Sequence, residues 1–170
     1  EKDEKGKEGE IKDGGIAVTK EYQTTAAPNV QPVSVEERIE IPFENVDYGI
    51  MGFIDMIDDK HCIHDHKFTK KSPSKNKATG EYVITPRDLI QISIYSLATG
   101  LDDVQLDYAV NTKTPKIIQL PTVAAETDKN FVLDLTGRVH HAIEQEIFIP
   151  NRDSMLCSRK NCGYWCLCEK

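Results

Sequence analysis

Residues 48–69 read YGIMGFIDMIDDKHCIHDHKFT, two apolar segments separated by a short polar turn. The first segment is almost continuously apolar, which is typical of a strand buried on both faces. Asp55 is the one charged residue within it. The polar residues Asp58, Asp59 and Lys60 follow, and strand character then resumes. A connection this short predicts that the two strands form an antiparallel hairpin.

The hairpin carries three charged residues that could act together. Side chains in a strand alternate between its two faces, so Asp65 and Lys67 project together. If the hairpin loop has an odd length, for instance residues 59–61, Asp55 lies opposite Asp65 with Cβ atoms about 5 Å apart. Two carboxylates that close in an apolar setting must bind a proton or share a cation.

A hard divalent cation would resolve this repulsion. Mg²⁺ takes oxygen ligands and keeps waters that can attack a phosphodiester, while a neighbouring ammonium can orient the nucleophile. The residues alone leave a second alternative open, which is a surface hairpin with solvated charges and an ordinary ion pair.

The pattern beyond this hairpin predicts the remaining elements of the fold. Apolar and polar residues alternate in three further strands, and two segments have helical spacing, the first of them capped by Thr85 and ended by Gly100. The three strands are expected at residues 33–41, 104–110 and 116–120, and the helices at residues 86–98 and 128–148. This order predicts an α/β fold of the α+β type, with a mixed central sheet, flanking helices and a cysteine-rich C-terminal tail.

Length and charge restrict the class of protein. The chain has 170 residues and a mass of 19.2 kDa, which predicts one domain. Twenty-eight acidic residues against 21 basic ones give a net charge of -7, so any basic site for nucleic acid must be local. No segment approaches the roughly 18 apolar residues of a membrane span, and the first residues do not form a signal peptide. The sequence therefore predicts a soluble, intracellular protein.

The N-terminal segment is rich in charge. Residues 1–14 contain ten charged side chains and one large apolar residue, Ile11. Such a segment buries too little surface to offset the entropy of ordering its backbone, so residues 1–31 are predicted to be disordered or a loop. A first residue other than Met leaves open that the chain is a fragment.

Three segments together resemble a known superfamily. MGFIDMI, IHDHKFT and QISIY resemble the G-x-x-D, D-x-K and Q-x-x-x-Y motifs of the PD-(D/E)XK nucleases, specifically the RecB-like exonuclease branch. That branch includes the CRISPR-adaptation exonucleases and many phage enzymes. The resemblance implies a restriction-endonuclease-like nuclease core at residues 32–150, followed by a metal-binding or iron–sulfur tail at residues 151–170.

The resemblance also implies roles for individual residues. Asp55 and Asp65 would bind Mg²⁺ or Mn²⁺ together with the backbone carbonyl of His66. Lys67 would activate or position the attacking water. Two further residues, Gln91 and Tyr95, would face the site from one helix and hold the substrate phosphate or the lysine. Without the resemblance, the favoured alternative is that Tyr95 is a core residue and Gln91 a solvated neighbour.

A local run of lysines follows the D-x-K motif. Residues 66–77 contain no acidic side chain, and beyond Lys67 they carry Lys70, Lys71, Lys75 and Lys77. Such a segment can bind backbone phosphates without reading base sequence, so these four lysines are candidate DNA-binding residues. A solvated flexible loop is the alternative.

The tail at residues 157–168 reads CSRKNCGYWCLC. Thiolates this dense suit zinc or an iron–sulfur cluster, but their spacing matches no common zinc ribbon. The resemblance implies that Cys157, Cys162 and Cys168 bind a [4Fe-4S] cluster in preference to zinc. In that family an upstream cysteine and an upstream G-x-x-x-H motif contribute further ligands, and neither occurs before residue 33. Cys166 could substitute for the missing cysteine.

The expected function is therefore a metal-dependent deoxyribonuclease, an exonuclease acting on single-stranded DNA or duplex ends. The resemblance places it in recombination, repair or phage DNA processing, in the cytoplasm of a bacterium or encoded by a phage, with recombination or repair proteins as candidate partners. One alternative is an inactive nuclease-fold module that binds nucleic acid or a repair protein and has a structural metal clasp. A zinc-stabilised interaction domain is the other.

Overall fold

The computed structural model describes residues 2–42, 49–147, 149 and 151–168. They form two compact units, Glu1–Val132 and Leu133–Lys170. The helices are α1 (Lys2–Thr25), α2 (Pro86–Thr99), α3 (Glu126–Glu144) and the short α4 (Trp165–Cys168), with a 3₁₀ turn at Ala27–Asn29. The strands are β1 (Pro32–Pro42), β2 (Gly49–Asp58), β3 (Ile63–Thr69), β4 (Asp103–Val110) and β5 (Lys116–Val123).

The five strands form one mixed sheet in the order β1-β2-β3-β4-β5. β1 and β3 each pair antiparallel with β2, and β5 pairs antiparallel with β4. β3 and β4 are parallel, so the chain must cross over between them, and α2 lies in this connection. The predicted α+β fold with a mixed sheet and flanking helices is confirmed.

Helix α2 begins and ends where its capping residues predict. The Thr85 side chain accepts a hydrogen bond from the backbone N–H of Asp88, and Pro86 occupies the first turn. Gly100 ends the helix with a left-handed φ of 74°, a conformation that favours glycine. Ile92 and Tyr95 of α2 belong to the same buried hydrophobic core as the sheet residues Leu106 and Ile63.

Strand β2 differs from its prediction. Met51 and Phe53 are 56% and 48% exposed, so burial of the whole strand on both faces was wrong. Residues 49–54 pair only with the edge strand β1, and here one face is covered, so that Ile54 is buried while Met51 and Phe53 are exposed. Met56 and Ile57 also pair with β3, and both are buried. Apolar composition alone cannot tell these two environments apart. Tyr48 lies outside the described residues.

The N-terminal segment also differs from its prediction. Lys2–Thr25 form helix α1, so a disordered segment or loop over residues 1–31 was wrong for most of its length. Lysine and glutamate are strong helix formers, which an argument from burial alone overlooks. The helix contacts β4 and β5, with Val18 only 3% exposed. The division of the chain at residues 31 and 150 stays a prediction.

Helix α3 begins at Glu126 and ends at Glu144, rather than spanning residues 128–148. Phe148 lies outside the described residues. Among the apolar residues at helical spacing in this segment, Val132 is buried, whereas Val139 and Ile143 are exposed. In the described part of the chain, no helix is both long and apolar enough to cross a membrane.

Candidate active site

The site is built where β2 and β3 separate. The two strands pair only at Met56 with His64 and at Ile57 with Ile63, leaving an odd loop of five residues between the last pair. Asp55 and Asp65 are the next residues beyond the Met56–His64 pair, on the side away from the loop, one on each strand. The Oδ2 atom of Asp55 accepts a hydrogen bond of 2.6 Å from the backbone N–H of His66. Asp55 is therefore tied to the backbone of β3 immediately beside Asp65.

Asp65 is a buried carboxylate, 2% exposed. Its Oδ2 atom forms an ion pair with Lys67 Nζ at 2.7 Å. Burial raises the pKa of Asp65 above its ordinary value, and the negative charges of Asp55 and Asp88 act in the same direction, against the opposing effect of Lys67. The surroundings of Asp65 thus have an excess of negative charge that a bound cation would offset.

Lys67 is the centre of the polar contacts on this face of the sheet. Besides Asp65, its Nζ donates a hydrogen bond to Gln91 Oε1 of α2 and lies 3.6 Å from Asp88 Oδ1. The Gln91 Nε2 atom in turn donates to the hydroxyl of Tyr95 at 2.7 Å. The structure therefore brings Gln91 and Tyr95 into one chain of contacts with Lys67.

Tyr95 is a core residue that also contacts the candidate site through Gln91. It is 6% exposed and belongs to the hydrophobic core, as its alternative interpretation predicted. Burial raises its pKa to about 12, and the nearby charges of Asp65 and Asp55 contribute to this rise. The hydroxyl is thus protonated throughout the neutral range and available as a hydrogen-bond donor.

The donor set at this site consists of hard oxygen atoms. Among the residues that the structure describes, no group of three or more His, Cys, Asp or Glu side chains could hold a metal ion. The predicted set is instead two carboxylates, Asp55 and Asp65, with the backbone carbonyl of His66. Mg²⁺ and Mn²⁺ are bound in proteins by one or two carboxylates with the remaining positions filled by water and substrate. These residues therefore fit such an ion.

A second polar cluster lies on the opposite face of the sheet, and the sequence analysis missed it. Asp107 is completely buried and holds three side chains. His64 Nδ1 lies 3.0 Å from its Oδ2, and the amides of Gln105 and Gln119 donate to its Oδ1 at 3.1 and 2.9 Å. On its other side, His64 Nε2 lies 3.4 Å from Asp58 Oδ2. We name these five residues the Asp107 cluster.

The charges of the Asp107 cluster support one another. Burial alone would lower the pKa of His64, but Asp107 and Asp58 outweigh it and raise the value above 6.5. For Asp58, burial would raise the pKa, and the backbone N–H groups of Cys62 and Lys60 together with His64 lower it. The sequence pattern that could have indicated this cluster lies in β4, where the polar residues Gln105 and Asp107 alternate with apolar ones.

Helix α1 contacts the back of the candidate site through Tyr22. The Tyr22 hydroxyl lies 2.9 Å from His66 Nε2, and the two rings meet edge to face at 5.3 Å. The other ring nitrogen of His66 lies 3.7 Å from Asp55 Oδ2. Burial, followed by the charge of Asp107, raises the pKa of Tyr22 to about 12. Because α1 was predicted as a loop, this contact could not be anticipated.

The lysine run forms an ordered turn after β3. All four predicted DNA-binding residues, Lys70, Lys71, Lys75 and Lys77, are exposed. Lys75 pairs with Tyr82 in an isolated antiparallel bridge, and its ammonium lies 4.4 Å above the ring of Tyr82. The turn between them uses the Asn76 side chain, which accepts a hydrogen bond from the backbone of Ala78.

The tail cysteines are described within the second unit alone. Cys157 and Cys162 are half-buried, whereas Cys166 and Cys168 are exposed. In the described residues they do not gather into a group of three or more that could hold a metal. The assignment of Cys157, Cys162 and Cys168 to a [4Fe-4S] cluster or zinc stays a prediction. Burial raises the pKa of the half-buried Cys62 to about 11, which keeps it a protonated thiol.

Comparison with known proteins bears on the fold. No protein-family model and no curated protein matches this sequence. A proposed exonuclease from Eubacterium rectale has a similar structure, with a TM-score of 0.54 and 14% identity over 87% of this chain and 59% of that one. SSO0001 has a TM-score of 0.46 and 17% identity over 80% of this chain and 59% of its own. The chain spans less than two thirds of either structure, and the first likeness shows that the two proteins share a fold.

Proposed function

We propose that this protein is a metal-dependent DNA exonuclease of the RecB-like type, which hydrolyses phosphodiester bonds. The observation that carries the proposal is the placement of Lys67 between the buried carboxylate of Asp65 and the amide of Gln91, with Asp55 hydrogen-bonded to the intervening His66 backbone. A lysine held between a carboxylate and an amide in a half-buried position has a fixed direction. Fixed donors of this kind stabilise charge that develops in a transition state.

The residues of the site divide the chemical work among them. Asp55, Asp65 and the His66 carbonyl would hold Mg²⁺ or Mn²⁺, which supplies an activated water and neutralises phosphate charge when bound. Lys67 positions the attacking water or donates to a phosphate oxygen. Gln91 keeps Lys67 in place, and the Tyr95 hydroxyl keeps Gln91 in place.

The lysine run supports DNA as the substrate. With a net charge of -7, the protein as a whole repels a polyanion, so a local basic segment is needed to bind one. Four exposed lysines follow the strand that carries Lys67, which puts them next in the chain to the reacting group. Contacts with phosphates alone would bind single strands or duplex ends without regard to base sequence.

The proposal is tested by cleavage of end-labelled DNA. We expect single-stranded DNA or blunt duplex to release labelled nucleotides in the presence of Mg²⁺ or Mn²⁺, and EDTA to stop the reaction. Asp65→Asn should lower the rate about a hundredfold or more, because several kcal/mol of transition-state charge stabilisation are lost. Asp59→Asn, an exposed aspartate in the β2–β3 turn, is the matched control and should retain full activity.

Two results would contradict the exonuclease. The first is cleavage that survives Asp65→Asn, which would assign the activity to a contaminant or to another site. The second is tight DNA binding with no cleavage under either metal, which would favour the inactive nucleic-acid-binding module instead.

The role of the lysine run makes a separate prediction. Replacing Lys70, Lys71, Lys75 and Lys77 with glutamine should weaken binding to single-stranded DNA. It should also make the plot of log affinity against log salt shallower by about 0.7 for each phosphate that a lysine no longer neutralises. Fluorescence anisotropy at several salt concentrations measures both effects.

The matched control for this experiment changes lysines elsewhere. Lys12, Lys20 and Lys60 are exposed as well but lie in α1 and in the β2–β3 turn. Replacing these three with glutamine alters the net charge by a similar amount and should leave most of the salt dependence intact. If both sets of substitutions flatten the plot equally, binding depends on overall charge and the lysine run is not the DNA site.

A further inference from the structure

Asp88 is a buried carboxylate in the first turn of α2 whose two oxygen atoms have different partners. It is 9% exposed. Its Oδ2 atom accepts hydrogen bonds from the Thr85 hydroxyl at 2.7 Å and from the Tyr108 hydroxyl at 3.0 Å. Its Oδ1 atom lies 3.6 Å from Lys67 Nζ. The carboxylate thus connects the start of α2, strand β4 and the lysine of the candidate site.

The two hydroxyl groups fix the direction of the carboxylate. One comes from the residue that caps α2, and the other from the neighbouring strand in the core. A carboxylate held at one oxygen by two donors cannot rotate freely, so its other oxygen stays directed at Lys67. Hydrogen bonds to a charged group are stronger than those between neutral groups.

Lys67 has three N–H groups and meets three acceptors, Asp65, Gln91 and Asp88. Asp65 is also the residue that would bind the metal, and its oxygen cannot serve both partners equally. Asp88 is not among the proposed metal ligands, so its contact with Lys67 does not compete with metal binding. Burial would raise the pKa of Asp88, but the hydroxyls of Thr85 and Tyr108 and the charge of Lys67 outweigh this and lower it. A negative charge therefore stays beside Lys67 whatever Asp65 binds.

We propose that Asp88 is a positioning residue, which holds the Lys67 ammonium at the reacting phosphate while Asp65 is engaged with the metal. The proposal rests on the exonuclease function proposed above. The competing explanation is that Asp88 acts only as an acidic residue in the first turn of α2, stabilising the helix through Thr85 and the helix dipole. In that case the loss of Asp88 would affect folding stability and not the chemistry at Lys67.

The experiment compares Asp88→Asn with a variant that weakens the same helix at its other end. Gly100→Ala places a side chain on the left-handed C-cap of α2, so it destabilises the helix without touching Lys67 or its partners. We expect Asp88→Asn to lower kcat for DNA cleavage about tenfold with KM changed less than about twofold. Asp88→Glu, which keeps the charge, should recover most of the loss. Gly100→Ala should leave kcat at the parental value although Tm falls.

A second measurement does not depend on activity. Acetylation of Lys67 by an amine-selective reagent, followed by mass spectrometry, reports how firmly its ammonium is held. Asp88→Asn should raise the rate at Lys67 several-fold above that of the parental protein and of Gly100→Ala. Acetylation of the exposed Lys60 provides an internal reference within each sample.

The outcomes separate the two proposals. If the parental protein cleaves DNA but Asp88→Asn matches Gly100→Ala in both kcat and Lys67 acetylation, the positioning role is wrong and the exonuclease stands. If no variant cleaves DNA but Asp88→Asn still frees Lys67 for acetylation, Asp88 does hold the lysine and the proposed exonuclease is wrong. An equal loss of kcat in Asp88→Asn and Gly100→Ala would assign Asp88 to the stability of α2 alone.

Discussion

Replacing Lys67 with methionine is expected to lower kcat for DNA cleavage by about a hundred- to a thousandfold, the range typical for loss of one oriented donor in an active site. Methionine keeps the unbranched apolar stem of lysine and removes the ammonium. That ammonium contacts Asp65, Gln91 and Asp88, and the Lys67 side chain is 23% exposed, so the group is both fixed and able to reach a substrate. Quantitation of labelled product under single-turnover conditions gives the rate.

The value of KM separates a chemical role for Lys67 from a binding role. Because the exposed lysine run remains, Lys67→Met should bind DNA nearly as well as the parental protein. A rise in KM with little change in kcat would instead make Lys67 one more phosphate contact. Lys60→Met, in the β2–β3 turn, is the matched control and should behave like the parental protein. Identical purification of both variants also excludes a contaminating nuclease, since only Lys67→Met should lose activity.

The β2–β3 hairpin could be predicted because its signals are local. The apolar segments and the short polar turn lie within about twenty residues, and side-chain alternation then puts Asp65 and Lys67 on one face. An odd loop length was a condition of placing Asp55 opposite Asp65, and the register of β2 and β3 meets it. Helix α2 was equally accessible, since Thr85 and Gly100 mark its two ends in the sequence itself. For the same reason Gln91 and Tyr95, one helical turn apart, could be expected to lie side by side.

The features that could not be predicted depend on distant residues. His64 and Asp107 are 43 positions apart and meet only because β3 and β4 pair in parallel, which no local pattern specifies. Tyr22 reaches His66 from a helix whose sequence is dominated by charge. Asp88 could be recognised as a first-turn acid from sequence, but its second partner, Tyr108, follows from the packing of α2 on β4.

The Asp107 cluster is expected to be a major source of folding stability. Replacing Asp107 with alanine should lower the free energy of unfolding by about 3–5 kcal/mol, the usual cost of removing one partner from a buried charged pair. The substitution removes the acceptor of His64, Gln105 and Gln119 at once, and it leaves His64 in contact with Asp58 and with the Gln105 amide. Urea denaturation followed by circular dichroism, in EDTA, measures the difference. Asp103→Ala, an exposed position in the same strand, should change stability by less than about 0.5 kcal/mol.

The same cluster predicts how stability depends on pH. Folding raises the pKa of His64 above 6.5, so protonated His64 contributes stability that is fully present below that pH. The contribution is lost as the pH rises through the value in the folded protein. The free energy of unfolding of the parental protein should therefore fall as the pH rises from 6.5 through the pKa of His64 in the folded protein. The fall should be smaller in Asp107→Ala, because His64 has lost its nearest carboxylate there. Equal slopes in the two proteins would mean that His64 is neutral in the folded state and that Asp107 acts only as a hydrogen-bond acceptor.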